Sequence, residues 1–247
     1  MTSDTSGSLR LFRAFGIDVF IHWTWWALLA VVLFLNVLGD PVLTVAIFLA
    51  LFAIVTLHEF GHALACRSVG GQANRIVLWP LGGIAFVRPP ERPDAMLWTI
   101  VAGPLVNVAL VPVTLVLFGT FVGNPLEFPW FDAAATQQLL REFTIFERFV
   151  AIVTWMNFLL LVFNMLPIYP LDGGQTLQAI LWFGLGRARS LHIAASIGFV
   201  LAIVGGSYAF FIRESIWLTI LAVFIGMEAL NGIRMAKTLA AQDAMRM

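Results

Sequence analysis

Six separate stretches of the chain are apolar over a length that matches the thickness of a lipid bilayer. Each runs for about 20 residues or more, which is the length that an α-helix needs to cross the hydrocarbon core. The stretches are, roughly, Val19–Leu38, Val42–Cys66, Leu97–Phe121, Phe149–Ile168, Leu191–Ile212 and Ile216–Met235. Because 60% of the residues are hydrophobic and only 11% are charged, a soluble globular protein is excluded. The sequence therefore predicts an all-α integral membrane protein with six transmembrane helices.

Positive charge is distributed unequally between the two sides that six crossings would define. With a cytoplasmic N-terminus, eleven of the fourteen Lys and Arg residues fall in cytoplasmic segments, and only Arg141, Arg148 and Arg213 fall on the other side. Cytoplasmic loops characteristically carry an excess of Lys and Arg. We therefore expect both termini in the cytoplasm and the protein in a cell (inner) membrane. The first stretch lacks the small-residue cleavage site of a signal peptide, so we expect it to be retained.

The apolar stretches leave little room for a second domain. We expect a six-span membrane domain over residues 17–237, preceded by a short cytoplasmic leader over residues 1–16 that is disordered or interfacial. Residues 238–247 are expected to form a cytoplasmic tail. Cys66 is the only cysteine, which excludes an intramolecular disulfide and a cysteine-based metal site.

The segment between the second and third stretches has a different composition, being glycine-rich, basic and only partly apolar. Within it, Ile76–Trp79 and Ile84–Val87 flank the residues PLGG at 80–83, a pattern that predicts two short strands about a turn. Because both strands are apolar, we expect a short membrane-associated β-hairpin, shielded by protein or lining a wet cavity.

The pentapeptide HEFGH at residues 58–62 follows a run, Val42 to Leu57, that contains no charged side chain. On a helix, His58 and His62 are four positions apart and share a face, where two imidazoles can bind one metal ion. Glu59 lies one step round the same turn, where it can take a proton from a water at the metal. The alternative is that these side chains hold helices together by hydrogen bonds. Ionisable groups at membrane depth are usually functional, which favours the metal site.

A catalytic zinc site usually has three protein ligands, and Asp172 is the best candidate for the third. The second and fourth stretches run in the same direction, so that His62 and Asp172 both come near a cytoplasmic end and at similar depth. The alternative for Asp172 is a turn residue ahead of two glycines. The shared depth favours a common metal site.

The residue pattern then resembles the site-2 protease family of intramembrane zinc metalloproteases. The resemblance is carried by HEFGH and by a later element with Asn164, Pro167, Pro170 and LDGG at 171–174. The residues AGPLVN at 102–107 and the Gly82-Gly83 loop are also similar to family features. Two positions depart from the usual pattern: Met165 stands where relatives often have Pro, and Gln175 where they often have Arg.

The resemblance implies specific roles for individual residues. His58, His62 and Asp172 would hold one zinc ion per chain, and Glu59 would be the general acid and base. Asn164 is implicated in stabilising the oxyanion. The hairpin would correspond to a membrane-inserted element near the active site, and the chain would be a minimal member without an added regulatory or peptide-binding domain.

The implied function is zinc-dependent hydrolysis of peptide bonds in or near the transmembrane segments of partner proteins, as in regulated intramembrane proteolysis. The expected partners are a membrane-spanning protein substrate and the lipid bilayer, with no nucleic acid; the sequence leaves the oligomeric state open. A substrate helix must unwind before cleavage, and we expect the unwound segment to pair with a strand of the hairpin. The alternative functions are a catalytically silent scaffold that binds membrane helices and a metal transporter.

Several polar residues keep more than one interpretation. Asn164 could simply cap a broken helix, and helix packing beside Gly103 is favoured for Asn107. An interfacial position in an aromatic belt is favoured for His22 over a role near the metal. Glu228 could pair with a neighbouring helix or line the substrate path.

Overall fold

The computed structural model describes residues 7–79 and 82–246. Its elements in chain order are β1 (Ser8–Ala14), β2 (Ile17–His22), α1 (Thr24–Phe34), α2 (Pro41–Ser68), β3 (Gln72–Trp79), β4 (Gly82–Arg88), α3 (Pro93–Phe121), α4 (Ala133–Glu142), α5 (Ile145–Asn164), α6 (Asp172–Leu185), α7 (Arg187–Phe211) and α8 (Ile216–Arg246). The chain divides into two compact units, one made of residues 1–88 and 105–161 and the other of residues 89–104 and 162–247.

The first unit contains a four-stranded sheet in the order β1-β2-β3-β4. β1 and β2 are antiparallel, as are β3 and β4. Between these two hairpins, β2 and β3 run parallel, with Asp18 opposite Arg75 and Ile21 opposite Leu78. Parallel neighbours need a long connection, and here it is supplied by α1 and α2. The predicted hairpin is therefore present, but it is half of a larger sheet.

The sheet packs on the helix that carries the HEFGH sequence. Ile17, Val19 and Ile76 are fully buried, and they belong to one core cluster with Phe60 and Ala63 of α2. Alternate residues of β2 thus face the helix, as the two-residue period of a strand requires. Burying side chains of this size contributes roughly 1.5–3 kcal/mol each, so the sheet and the helix stabilise one another.

Both ends of α2 are defined by local hydrogen bonds. At the start, Pro41 occupies the first turn and the Asp40 carboxylate accepts from the Leu43 N–H at 2.9 Å, a favoured combination at a helix N-terminus. At the end, the Gly71 N–H donates to the Cys66 carbonyl at 2.9 Å. The Arg67 guanidinium donates to the Phe15 carbonyl and, at 3.1 Å, to that of Gly16, which ties the β1–β2 turn to the end of α2.

Five helices among the described residues are long and apolar enough to cross a membrane: α2, α3, α5, α7 and α8. The prediction of a largely helical chain with membrane-spanning helices is confirmed. The stretch Val19–Leu38, predicted as the first crossing, instead begins in β2 and continues as α1, an apolar helix of only 11 residues. Six spans are therefore not established by helix length.

Two local expectations about the first 90 residues have different outcomes. Residues 8–14, which the sequence assigned to a disordered or interfacial leader, form strand β1. The hairpin turn was predicted at 80–83, and its first two residues, Pro80 and Leu81, lie outside the described residues. Gly82 and Gly83 already belong to β4, opposite Trp79 and Leu78.

The second unit consists of the start of α3 together with α6, α7 and α8. α5 ends at Asn164 and α6 starts at Asp172, so the helices are broken across the segment that contains Pro167 and Pro170. α7 and α8 are the two long helices of this unit. Near the start of α7, Arg187 forms an ion pair with Glu91 at 2.6 Å.

Candidate metal centre

His58 and His62 lie one turn apart on α2 and face each other through the same ring nitrogen. Their Nε2 atoms are 3.0 Å apart, and both side chains are buried, at 4% and 6% exposure. In a tetrahedral zinc site with Zn–N bonds of about 2.0–2.1 Å, two ligand nitrogens are about 3.3 Å apart. The pair therefore has the spacing of two ligands to one ion. Glu59, on the same turn, is also buried, at 6% exposure.

The other nitrogen of the His58 ring is engaged by α3. His58 Nδ1 and Asn107 Oδ1 are 2.6 Å apart, and both residues are buried. The Asn107 amide nitrogen donates to Asn157 Oδ1 at 2.9 Å, so Asn107 Oδ1 is the acceptor toward His58. The Nδ1 atom must then carry the proton, which leaves the Nε2 lone pair for a metal ion.

Asn157 on α5 completes this chain of hydrogen bonds. Its amide nitrogen donates to the Asn107 backbone carbonyl at 3.2 Å, and both asparagines are fully buried. Each amide is thus held by the other, so the acceptor aimed at His58 is fixed by residues from two further helices. Such partners of a metal ligand orient the ring and raise its basicity.

Asp172 and Asn164 belong to the second unit, at the two ends of a loop between helices. Asn164 is the last residue of α5 and Asp172 the first of α6. Both are half-buried. A carboxylate in the first turn of a helix is stabilised by the helix dipole. The loop of residues 165–171 therefore determines where Asp172 is presented.

The two glycines after Asp172 permit this loop to fold back on α6. A Cβ atom at Gly173 would clash with the carbonyls of Met165 and Leu166, and one at Gly174 with the backbone of Tyr169. Only glycine fits such close backbone approach. Gln175 donates from Nε2 to the Pro170 carbonyl at 2.9 Å. Although Gln175 departs from the usual family pattern, its side chain therefore stabilises this loop.

The family model for peptidase family M50 matches residues 46–205 of the chain, a region that contains the histidines of α2, the asparagines of α3 and α5, and Asp172. The chain belongs to peptidase family M50. This is the site-2 protease family that the motifs predicted, and that prediction is confirmed. With five apolar helices of spanning length, this member of the family is an integral membrane protein.

Relatives with assigned names include several metalloproteases. The chain is 31% identical to a zinc metalloprotease of Methanocaldococcus jannaschii over 198 residues, which are 80% of this chain and 52% of the relative. It is 28% identical over 193 residues to the stage IV sporulation protein FB of Bacillus subtilis, covering 75% of this chain and 58% of that protein. The chain spans about half the length of the curated relatives it matches.

A solved structure shares the fold. The site-2 protease from Methanocaldococcus jannaschii matches with a TM-score of 0.65 and 28% identity, covering 92% of this chain and 95% of that chain. The M50 member described here therefore has the helix arrangement of a site-2 protease.

Two polar neighbours of the histidines extend what the sequence indicated. Asn107, for which helix packing was favoured, does join helices, and one of its partners is His58; Asn157 was not singled out at all. The available clue was the cost of burying an amide in an apolar helix without a partner. His22, for which an interfacial position was favoured, is buried, stacks on Trp79 with ring centroids 3.7 Å apart, and pairs with Thr24 at 2.8 Å.

Proposed function

We propose that this chain is a zinc-dependent intramembrane endopeptidase that hydrolyses peptide bonds in or near transmembrane segments of partner proteins. The observation that carries the proposal is the buried His58–His62 pair, with its Nε2 atoms 3.0 Å apart on an apolar helix that also carries Glu59. Membership of peptidase family M50 and the named zinc metalloproteases among its relatives support the same chemistry. Regulated intramembrane proteolysis is the process in which we expect it to act.

The metal in this proposal is one zinc ion per chain, held by His58, His62 and Asp172. The two imidazoles come from one turn of α2, and the carboxylate comes from the first residue of α6. Two imidazoles and one carboxylate are a donor set that catalytic zinc sites use, with a fourth position left for water or substrate. The proton that Asn107 fixes on His58 Nδ1 leaves the ring in the tautomer that such a site requires.

The reaction follows from the side chains around that position. Bound zinc would supply Lewis-acid chemistry, polarising the scissile carbonyl and lowering the pKa of water to about 7. The Glu59 carboxylate accepts the proton of the attacking water and returns it to the leaving amine. The Asn164 amide donates a hydrogen bond to the oxyanion that forms on the carbonyl oxygen. Burial of Glu59 and both histidines restricts bulk water around these groups.

The orientation in the membrane is part of the proposal. We infer a sixth crossing from the apolar stretch that includes α1, which puts both termini in the cytoplasm of a cell-membrane protein, as the distribution of Lys and Arg predicts. The histidines lie in the second half of α2, toward its cytoplasmic end in this orientation. Water then reaches the site from the cytoplasm, and cleavage releases a cytoplasmic fragment.

The substrate class is a membrane-spanning protein whose helix unwinds at the cleavage site. Within the described residues β4 is a terminal strand of the sheet, and it follows α2 through β3. An extended segment can add to such an edge by main-chain hydrogen bonds. We infer that the unwound segment of the substrate pairs with β4.

The decisive experiment is co-expression of the wild type or Glu59→Gln with a panel of single-span membrane proteins. Cleavage by the wild type that is lost in Glu59→Gln supports the protease, and Glu142→Gln, at an exposed position, is the matched control that should cleave normally. Zinc flux that persists in Glu59→Gln without any cleavage would establish transport instead. Capture of helices with no cleavage by either protein would establish a scaffold.

A further inference from the structure

The loop that presents Asp172 contacts both α7 and α8 through one residue, Tyr169. Tyr169 lies in the loop between α5 and α6, and its ring contacts α8 at Gly232, where a Cβ atom would lie 2.7 Å from Cε1. The same hypothetical atom would lie 3.1 Å from the Cβ of Ala195 on α7. The aromatic ring therefore occupies a space that only glycine at 232 leaves open.

The backbone of the same residue is held by α7. A Cβ atom at Gly198 would lie 2.5 Å from the Tyr169 carbonyl oxygen and 2.8 Å from its backbone nitrogen. Real Cβ atoms do not approach backbone atoms so closely, so a side chain at 198 would displace the loop itself. Gly198 is buried, and Ala195, one turn earlier on α7, is fully buried.

This close approach is specific to the loop and is not a general property of helix packing in this unit. Gly205 on α7 has open space where its Cβ would lie, and Gly226 on α8 would make only an ordinary contact of 3.6 Å with Ala202. Replacing either of these glycines by alanine would displace nothing. They are matched controls, one on each helix.

The electrostatic environment of the Tyr169 phenol also places it next to α8. Burial raises the pKa of the Tyr169 phenol, and the charge of Glu228 raises it further. Glu228 is four residues before Gly232 and so shares its face of α8. Glu228, whose role the sequence left open, therefore acts electrostatically on this phenol.

We propose that Gly198 and Gly232 are positioning residues that seat Tyr169 between α7 and α8 and thereby set the place of Asp172 as a metal ligand. The inference rests on the proposed function, in which Asp172 binds zinc. Only two residues separate Tyr169 from Asp172, and Gly174 holds the Tyr169 backbone against α6. Moving Tyr169 therefore moves the start of α6.

The test measures zinc affinity of the purified full-length protein by titration against a competing chelator. Gly198→Ala and Gly232→Ala should each weaken zinc binding by about tenfold, the effect typical of losing a residue that orients a ligand. Gly205→Ala and Gly226→Ala should bind zinc as the wild type does. Equal affinities in all four variants would overturn the inference.

A second comparison separates positioning from a general loss of stability. In a Tyr169→Ala background the ring clash at Gly232 is gone and only the approach of 3.1 Å to Ala195 remains, so adding Gly232→Ala should affect zinc affinity much less than it does in the wild type. Adding Gly198→Ala should still weaken binding, because its clash is with backbone atoms that the substitution leaves in place. A purely destabilising role predicts that each glycine variant melts at a lower temperature while its folded fraction binds zinc as the wild type does, and that result would refute positioning.

Two further variants keep the outcome interpretable. Tyr169→Ala creates no clash and should itself lower zinc affinity, so the inference can be tested even if a glycine variant does not fold; unchanged affinity in Tyr169→Ala would contradict it. Asp172→Asn tests the proposed function separately. Wild-type affinity in Asp172→Asn would remove Asp172 as a ligand, whereas loss there with unaffected glycine variants would refute only the positioning role.

Discussion

Replacing Asn107 by leucine should weaken zinc binding while leaving every proposed ligand in place. The substitution removes the acceptor 2.6 Å from His58 Nδ1, so the ring is no longer held in the tautomer that directs Nε2 toward the metal. Loss of such a partner typically costs 10–100-fold in metal affinity, equivalent to about 1.4–2.7 kcal/mol. The same change removes the donor to Asn157 Oδ1.

Stability of the protein should fall for a related reason. Two buried polar groups lose their Asn107 partner, one on His58 and one on Asn157. Each buried group left without a hydrogen bond costs about 1–3 kcal/mol, so the free energy of unfolding should drop by about 2–6 kcal/mol. Zinc affinity must therefore be measured on folded protein, below the lowered melting temperature.

Two companion variants separate the effect on the metal from the effect on folding. Asn157→Leu disturbs the same buried pair but leaves the Asn107 oxygen facing His58, so its loss of zinc affinity should be much smaller than that of Asn107→Leu. Asn107→Asp retains an acceptor for His58 and should keep zinc affinity close to that of the wild type. Titration against a competing chelator, with melting curves of each protein, provides both quantities. The reasoning fails if Asn157→Leu loses as much zinc affinity as Asn107→Leu, or if the latter binds zinc as the wild type does.

Three more outcomes follow from the structure. Asp172→Asn should lose most of its zinc affinity and all cleavage, because an amide replaces an anionic ligand; metal analysis after dialysis checks this, and full zinc content would remove Asp172 from the ligand set. Proline at Gly82 or Gly83 should suppress cleavage of a membrane-spanning substrate while zinc stays bound, since proline cannot donate from an edge strand; full activity would refute pairing with β4. Asp40→Ala should lower the free energy of unfolding by about 1 kcal/mol, because it removes the N-cap acceptor for Leu43, with melting measurements as the check.

Features that depend on residues close together in the sequence could be predicted. Features that depend on contacts between segments far apart in the sequence could not. HEFGH lies within one helical turn, so the convergence of His58 and His62 follows from the geometry of a helix alone. The stretch Val19–Leu38 was predicted as one helix, but a short apolar run does not distinguish a buried strand from a buried helix. Its first residues, Val19 to His22, belong to β2 because β3, about 55 residues later, offers a parallel partner.

The contact between His58 and Asn107 was beyond sequence reasoning for the same physical reason. An amide in an apolar helix must find a partner, but the contact that brings 107 opposite 58 joins two helices whose residues are 49 positions apart in sequence. Gly173 and Gly174 suggested a break in the helix, but the structure places them in the first turn of α6. Their close fit to the backbone of the preceding loop depends on how that loop folds back, which sequence alone does not specify.

β2, which precedes α1, pairs in parallel with β3, which follows α2. Both ends of the α1–α2 segment are therefore held in one sheet. A lone apolar helix can slide along the bilayer normal or change its tilt when the membrane becomes thinner or thicker. α2 cannot slide or tilt freely, because β2 before α1 and β3 after α2 are joined to each other by backbone hydrogen bonds. The sheet thus restrains the position of His58 and His62 along α2, and for the proposed protease we expect the height of cleavage to change little with the thickness of the bilayer.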